Sequence, residues 1–275
     1  MEKKHYQLIA FDMDGTLLDS QKRISPAVLE GIRLAQEQGK TVVLGTGRAV
    51  SELMDYREAL KNVRYGVCES GGLLYDFGQD RVLWRQSFTP DVIAQVAKIA
   101  AQEDVIGLAM ENGGVVIEGA SLDRLARYQV SHFEKLFRHS CRRLDDFWGY
   151  VLSGGNGFEK INLYHTDVDS RARTRARFDG APVELAYSEH TSLEVSPKGV
   201  CKGSALLKLC GLLNIPAEES IAVGDADNDL TMLRAAGLAV AMGNGNANVK
   251  AAAGAIVADN DHDGCREAID RFLMD

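Results

Sequence analysis

Short apolar runs alternate with helical periodicity at both ends of this chain, and that alternation is the tightest limit on its fold. Near the start, residues 6–11, 41–44 and 65–68 are brief, β-leaning runs. Between the first two, Ser25-Pro26 offers an N-cap followed by proline at the first helical position. Val28, Ile32 and Ala35 then recur at helical spacing, and Gly39 ends the helix. The last third repeats the rhythm. Helices are expected over about 203–213, 228–236, 247–253 and 264–273, and strands over 220–223, 238–241 and 255–258. Strand, helix, strand in this order implies right-handed crossovers and a parallel sheet. The runs are almost wholly apolar, as strands are when helices cover both faces.

The middle is less regular. A helix is expected over 90–101, and a hairpin from 107–110 and 115–118 joined near Asn112-Gly113. A helix is expected over 122–137, a strand over 160–164, and then comes an arginine-rich stretch, 170–178. This pattern suits a second, smaller α/β domain inserted into the first. The division expected is a doubly wound α/β core over 1–83 and 188–275, with the insert over 84–187.

Composition removes several functions. The chain has 275 residues and a formal net charge of −8, the wrong sign for a protein that must neutralise nucleic-acid phosphates. Five scattered cysteines form no CxxC pair, so neither a disulfide framework nor a zinc knuckle is indicated. No run reaches membrane-spanning length and no signal segment is evident, so a cytoplasmic enzyme without membrane or nucleic-acid partners is expected.

The chemistry gathers where the strands end, the place where open α/β sheets bind ligands. The first strand runs into Asp12-Met13-Asp14-Gly15-Thr16, the second into Gly45-Thr46-Gly47-Arg48, and a later one into Gly224-Asp225-Ala226-Asp227-Asn228-Asp229. A phosphate monoester is a dianion that repels a carboxylate nucleophile, and a divalent cation between them removes the repulsion. Asp12 and Asp225 offer the hard oxygen ligands that Mg²⁺ prefers. A carboxylate can attack phosphorus to form an acyl phosphate, and Asp14, two residues on, can protonate the leaving alcohol and later deprotonate water. Taken singly these features have plainer readings. Asp14-Gly15 is a common turn, Thr46-Gly47-Arg48 a helix cap, Lys202 a solvated lysine, and 225–229 a surface turn without the spacing of a calcium loop.

Together, Asp12-x-Asp14-Gly15-Thr16, Thr46-Gly47-Arg48, Lys202-Gly203 and Gly224-Asp225-x-x-Asn228-Asp229 resemble the four motifs of the haloacid dehalogenase superfamily. Their order and spacing are similar to the Cof-type branch, which carries a C2-type cap between the second and third motifs. Met242-Gly243-Asn244, Val249-Lys250, Asn260 and Asp263-Gly264 extend the resemblance to the end of the chain. It implies a Rossmann-like core with an inserted α/β cap. It also implies Asp12 as nucleophile and metal ligand, and Asp14 as general acid/base that lends a backbone carbonyl to the metal. Thr46, the Gly47 amide and Lys202 would hold the phosphoryl oxygens. Asp225 would be the main remaining Mg²⁺ ligand, with Asp229 supporting the metal and Asn228 touching phosphate or lysine. The aspartate at position 14 matches the phosphatases and phosphomutases of the superfamily. Ser70, Gly45 and Cys201 stand where relatives often carry Asn, Ala and Ser.

The expected function is therefore a Mg²⁺-dependent phosphatase of small phosphorylated metabolites, sugar phosphates foremost, acting through an aspartyl phosphate. A phosphomutase and a catalytically idle binding protein are the alternatives. Arg171, Arg173, Arg175 and Arg177 are read as a solvated helix face, with anion steering as the other option. His132, His139 and His165 lack partner spacing for a metal and are read as surface or packed residues. Neither the substrate nor the oligomeric state follows from the sequence.

Overall fold

The computed structural model describes residues 5–274. From the N-terminus the chain forms β1 (Leu8–Phe11), α1 (Pro26–Glu37), β2 (Thr41–Gly45), β3 (Tyr65–Cys68), β4 (Leu73–Asp76) and β5 (Arg81–Arg85). There follow α2 (Pro90–Ala100), β6 (Val105–Glu111), β7 (Gly114–Glu118), α3 (Glu134–Ser140), β8 (Cys141–Leu144), α4 (Phe147–Leu152), β9 (Lys160–His165), α5 (Val168–Arg177), β10 (Val183–Ala186) and β11 (Ser192–Pro197). The last part is α6 (Lys202–Leu213), β12 (Ser220–Gly224), α7 (Leu230–Ala235), β13 (Leu238–Ala241), α8 (Ala247–Ala252), β14 (Ala255–Ile256) and α9 (Gly264–Ala268).

Two compact units result. The first holds the residues through Gly47, Asp55–Trp84 and those from Cys201 on; the second holds Arg48–Met54 and Arg85–Val200. In the first unit eight strands run in the order β14-β13-β12-β1-β2-β3-β4-β5. β14 through β3 are parallel, and β4 returns antiparallel to β3. The period of two along each strand sorts the side chains. Leu8, Ala10, Val43, Val67, Ala222 and Ala241 form one core cluster with Leu206 and Leu209 of α6 and Met232 of α7. Ile9, Phe11, Val42, Leu44 and Val223 are buried as well, and α1 with the C-terminal helix packs against β1 and β2. Both faces are covered, which explains the unbroken apolar runs. The local signals for α1 act as expected: Ser25 Oγ caps the Val28 amide at 3.2 Å, and Val28, Ile32 and Ala35 are buried.

In the second unit six strands run β10-β11-β9-β6-β7-β8, antiparallel except for β7 beside β8. This unit extends to Val200 because β11 pairs with both β9 and β10. The β6–β7 hairpin turns on Asn112 (φ 50°) and Gly113 (φ 83°), the left-handed pair that an Asn-Gly turn supplies. One sheet face is packed by Ile93, Val96 and Ile99 of α2 and by Phe147 and Val151 of α4.

The single helix expected over 122–137 does not form. The chain makes 3-10 turns at Gly119–Asp123, Leu125–Tyr128 and Ser131–Phe133, and α-helix only from Glu134. Leu122, Leu125 and Tyr128 are all buried and recur every third residue, the period of a 3-10 helix. Gln129, at φ 61°, then breaks the path. Arg173, Arg175 and Arg177 of α5 lie on an exposed face, as expected, and the arginines have partners along it. Arg173 and Arg177 both bind Glu103, at 2.9 and 2.6 Å, while Arg171 and Arg175 lie over the Tyr187 ring. His165 is fully buried, bonded to Thr191 O and Thr174 Oγ1, so its role is packing. Among the described residues no helix is long and apolar enough to cross a membrane.

Candidate active site

β12, β1, β2 and β3 are neighbours in the first sheet. Asp225, Asp12, Thr46 and Glu69 are the residues that follow them, so the parallel register delivers all four to the carboxyl edge. The Asp12 amide still donates to Val223 O at 3.0 Å, and the Thr46 amide to Val67 O at 2.8 Å. Both side chains therefore leave from the last paired positions of rigid strands.

Lys202 joins the acidic groups. It opens α6, is 1% exposed, and donates to Asp12 Oδ1 at 2.5 Å and to Asp229 Oδ1 at 2.7 Å. Gly203 beside it has a packing reason: a Cβ there would lie 2.2 Å from the backbone oxygen of Thr231. Asp229 is fully buried, and its second oxygen accepts from the amides of Asp225 and Ala226 at 3.0 and 3.1 Å. Thr16 Oγ1 donates to Asp225 Oδ1 at 2.7 Å. Gly15 has φ +84°, and a Cβ there would stand 2.5 Å from Asp225 Oδ2. Position 15 thus needs both the left-handed conformation and the missing side chain.

Asp12, Asp225 and Asp229 each present an oxygen within 4.8 Å of the others. The charges leave this group short of positive partners. Burial raises the Asp12 pKa well above the usual carboxylate value, the neighbouring charges of Asp229 and Asp225 raise it further, and Lys202 opposes them. Asp225 is pushed up to about 6, first by burial and also by Asp229, against the lowering bond from Thr16. Burial would depress the Lys202 ammonium, but Asp12 and Asp229 outweigh it and hold its pKa above the ordinary value. Three converging hard oxygens with one cation among them fit a small divalent metal ion.

The other expected site residues differ in placement. Asp14 is outside the three-carboxylate group; its side chain receives Lys22 Nζ at 2.7 Å. Thr46 is buried at the next strand end, with Gly47 following it. Asn228 lies between Asp225 and Asp229 in sequence, and its Oδ1 is buried with no hydrogen-bond partner among the described residues. Ser70 adopts φ 56°, between Glu69 at φ 56° and Gly71 at φ 104°. Asn tolerates this conformation better than Ser, which explains the residue expected there. At Gly45 the sulfur of Met232 would lie 2.5 Å from a Cβ, so an alanine there would require the Met232 side chain to shift.

Sequence reasoning assigned no role to the braces behind the first motif. Asn244 Nδ2 donates to Gly15 O at 2.8 Å, Asn260 Nδ2 to Leu18 O at 2.8 Å, and the Asn260 amide to Asn244 Oδ1 at 3.2 Å. Lys22 is a further such residue, its backbone oxygen held by Tyr56 Oη at 3.0 Å. Asn244 and Asn260 carried a signal only through the resemblance; Lys22 carried none.

A carboxylate cluster around a buried lysine, at the carboxyl edge of a doubly wound sheet, defines an α/β protein with ligands suited to a small divalent cation. A family model for haloacid dehalogenase-like hydrolases matches residues 9–269, and the chain belongs to that family, in its Cof-type branch. Phosphatase YwpJ of Bacillus subtilis is 29% identical over 97% of this chain and all of its own length. Pyridoxal phosphate phosphatase YbhA of Escherichia coli is 26% identical over 98% of this chain and 99% of its own. The solved structure of a haloacid dehalogenase-like hydrolase from B. subtilis superposes with a TM-score of 0.86 at 26% identity, covering 97% of this chain and 100% of that one. The chain is a hydrolase of the phosphatase kind.

Proposed function

We propose that this enzyme is a magnesium-dependent phosphatase of small phosphorylated metabolites, sugar phosphates foremost, working through an aspartyl phosphate on Asp12. The observation that carries the reading is the buried Lys202 ammonium bonded to both Asp12 and Asp229. Its charge opposes the burial and the neighbouring carboxylates that raise the Asp12 pKa, and so favours the ionised form that a nucleophile needs. Asp12 then forms a bond to phosphorus as the bond to the leaving alcohol breaks. Asp14 gives its proton to the departing oxygen, then takes one from the water that attacks phosphorus, which frees Asp12 and inorganic phosphate. Thr46 and the Gly47 amide hold phosphoryl oxygens, and Lys202 balances their charge. The unpartnered Asn228 Oδ1 suits a donor such as the ammonium; turned over, its NH₂ serves a phosphoryl oxygen. Magnesium, held by the carboxylates of Asp12, Asp225 and Asp229 and the Asp14 backbone carbonyl, would supply the positive charge that offsets repulsion between these groups and a phosphate dianion. The second unit is the C2-type cap.

The names of the relatives support the reaction class, and the acidic cluster supports the metal. Phosphate release from phenyl phosphate, measured with Mg²⁺ and with EDTA, tests both. Release that stops on chelation is expected; undiminished release in EDTA would contradict the metal, and no release from folded protein would contradict the reaction.

A further inference from the structure

The loop that follows β1 carries a lysine where the backbone would suit another residue better. Lys22 adopts φ 60°, in the left-handed region that glycine and asparagine enter most easily. The turn around it closes on itself. The Lys22 amide donates to Asp19 O at 2.9 Å and the Asp19 amide to Arg23 O at 2.8 Å. Asp19 Oδ1 accepts from the amides of Gln21 and Arg23, both at 2.8 Å. Two distant segments then hold the loop. Asn260 Nδ2 donates to Leu18 O and the Ser20 amide to Asp261 Oδ1, both at 2.8 Å, and Tyr56 Oη donates to Lys22 O at 3.0 Å. All of these residues belong to the first unit. The Lys22 stem therefore starts from a fixed point, and its ammonium ends on Asp14 Oδ1 at 2.7 Å.

Stability does not account for this arrangement. The pair is open to solvent, with the Lys22 side chain 54% and the Asp14 side chain 34% exposed. An exposed ion pair adds little to a fold and breaks readily. For the same reason it does not bar Asp14 from taking up a proton. What a weak pair on a braced loop can do is choose a direction. The Asp14 carboxyl moves by rotation about its side-chain bonds, and an ammonium placed at one oxygen selects among those rotamers. Direction matters here, because a proton donor works only within hydrogen-bond reach of the oxygen it serves. The neighbouring Arg23 faces Asp19 at 3.3 Å, so the turn aims its two cations at different carboxylates.

We infer that Lys22 is a positioning residue for Asp14, directing its carboxyl toward the oxygen of the departing alcohol. The inference rests on the phosphatase reading above. There Asp12 bonds to phosphorus while the bond from phosphorus to the ester oxygen breaks, and that oxygen takes the Asp14 proton. A leaving group that is stable as an anion needs no such proton. The contribution of Lys22 therefore grows as the leaving oxygen becomes more basic, a trend that a general loosening of the loop would not produce.

The test is Lys22→Met in the full-length enzyme with Mg²⁺, assayed on 4-nitrophenyl, phenyl and benzyl phosphates, whose leaving oxygens run from weakly to strongly basic. Methionine keeps most of the stem and the backbone oxygen that Tyr56 holds, so the thermal midpoint should be unchanged. kcat/KM ends at phosphoryl transfer, so the later hydrolysis of the aspartyl phosphate does not enter it. The variant should lose roughly 10-fold or more in kcat/KM on benzyl phosphate. On 4-nitrophenyl phosphate it should stay within about twofold, with phenyl phosphate between. Lys22→Arg, which keeps the charge, should bring benzyl phosphate back to within about threefold of wild type. Equal losses on all three esters, no loss on any, or no recovery with arginine would overturn the inference. Should the methionine variant not fold, Lys22→Gln gives the same comparison. Wild type that cleaves 4-nitrophenyl phosphate but not benzyl phosphate leaves no acid for Lys22 to direct and sinks this inference alone; wild type that cleaves none of the three sinks the phosphatase reading with it.

Discussion

Lys202 binds two carboxylates at once, so its loss should be felt in stability as well as in turnover. Lys202→Met leaves Asp12 and Asp229 facing each other without their shared cation. The expected cost is about 3–5 kcal/mol in urea unfolding without metal, partly recovered when Mg²⁺ is added, together with a fall in kcat/KM. Unchanged stability in EDTA would mean that the buried pair is not formed in solution. Asp225 makes the complementary case. Among the described residues its side chain accepts from Thr16 Oγ1, so Asp225→Asn should leave the fold intact. It should raise the Mg²⁺ concentration for half-maximal activity by about tenfold or more; an unchanged metal titration would remove Asp225 from the ligand set. Asp12, Thr46 and Asp225 were legible because each directly follows an apolar strand, and a strand end has a known place in a parallel sheet. Asn244, Asn260 and Lys22 were not legible in the same way. Their work is to hold the loop after β1 through backbone contacts, and Asn244 does so across 229 positions of sequence, a distance at which no periodicity speaks.

Among the elements, those with a clear period and a clear cap formed where the sequence placed them: α1 between Ser25 and Gly39, the Asn112-Gly113 hairpin, and the strands of the parallel sheet. The stretch 122–137 was misread because apolar spacing of three and of three to four look alike over two turns, and the buried positions followed the former. Arg173, Arg175 and Arg177 of α5 lie on an exposed face as expected, but charge on a helix says nothing about the partner across from it. Glu103, in the turn after α2, collects Arg173, Arg177 and the Ser170 hydroxyl. Those bonds lower its pKa from 4.5 to about 2, the hydrogen bond from Arg173 first. A depressed folded-state pKa means the stabilisation is fully present above the unfolded value near 4.5. It is lost as pH falls from there towards 2. Glu103→Gln should therefore lower the unfolding midpoint at neutral pH, with the gap to wild type closing across that acid window. A gap that does not change with pH would show that Glu103 acts by shape alone.

Over the whole chain, the unbroken apolar strands at both ends were legible as a parallel sheet covered on both faces, while the middle showed only a less regular α/β pattern. On β9 and β11 the polar residues Lys160, Asn162, Glu194 and Ser196 are buried as well. The central claim is that a phosphoryl group passes through Asp12. Rapid acid quench of the enzyme turning over phenyl phosphate with Mg²⁺, followed by peptide mass mapping, tests it most directly. The account predicts a transient phosphoryl adduct on the peptide bearing Asp12, absent from a folded Asp12→Asn variant that no longer turns over. Full activity in that variant, or an adduct on a different residue, would contradict it.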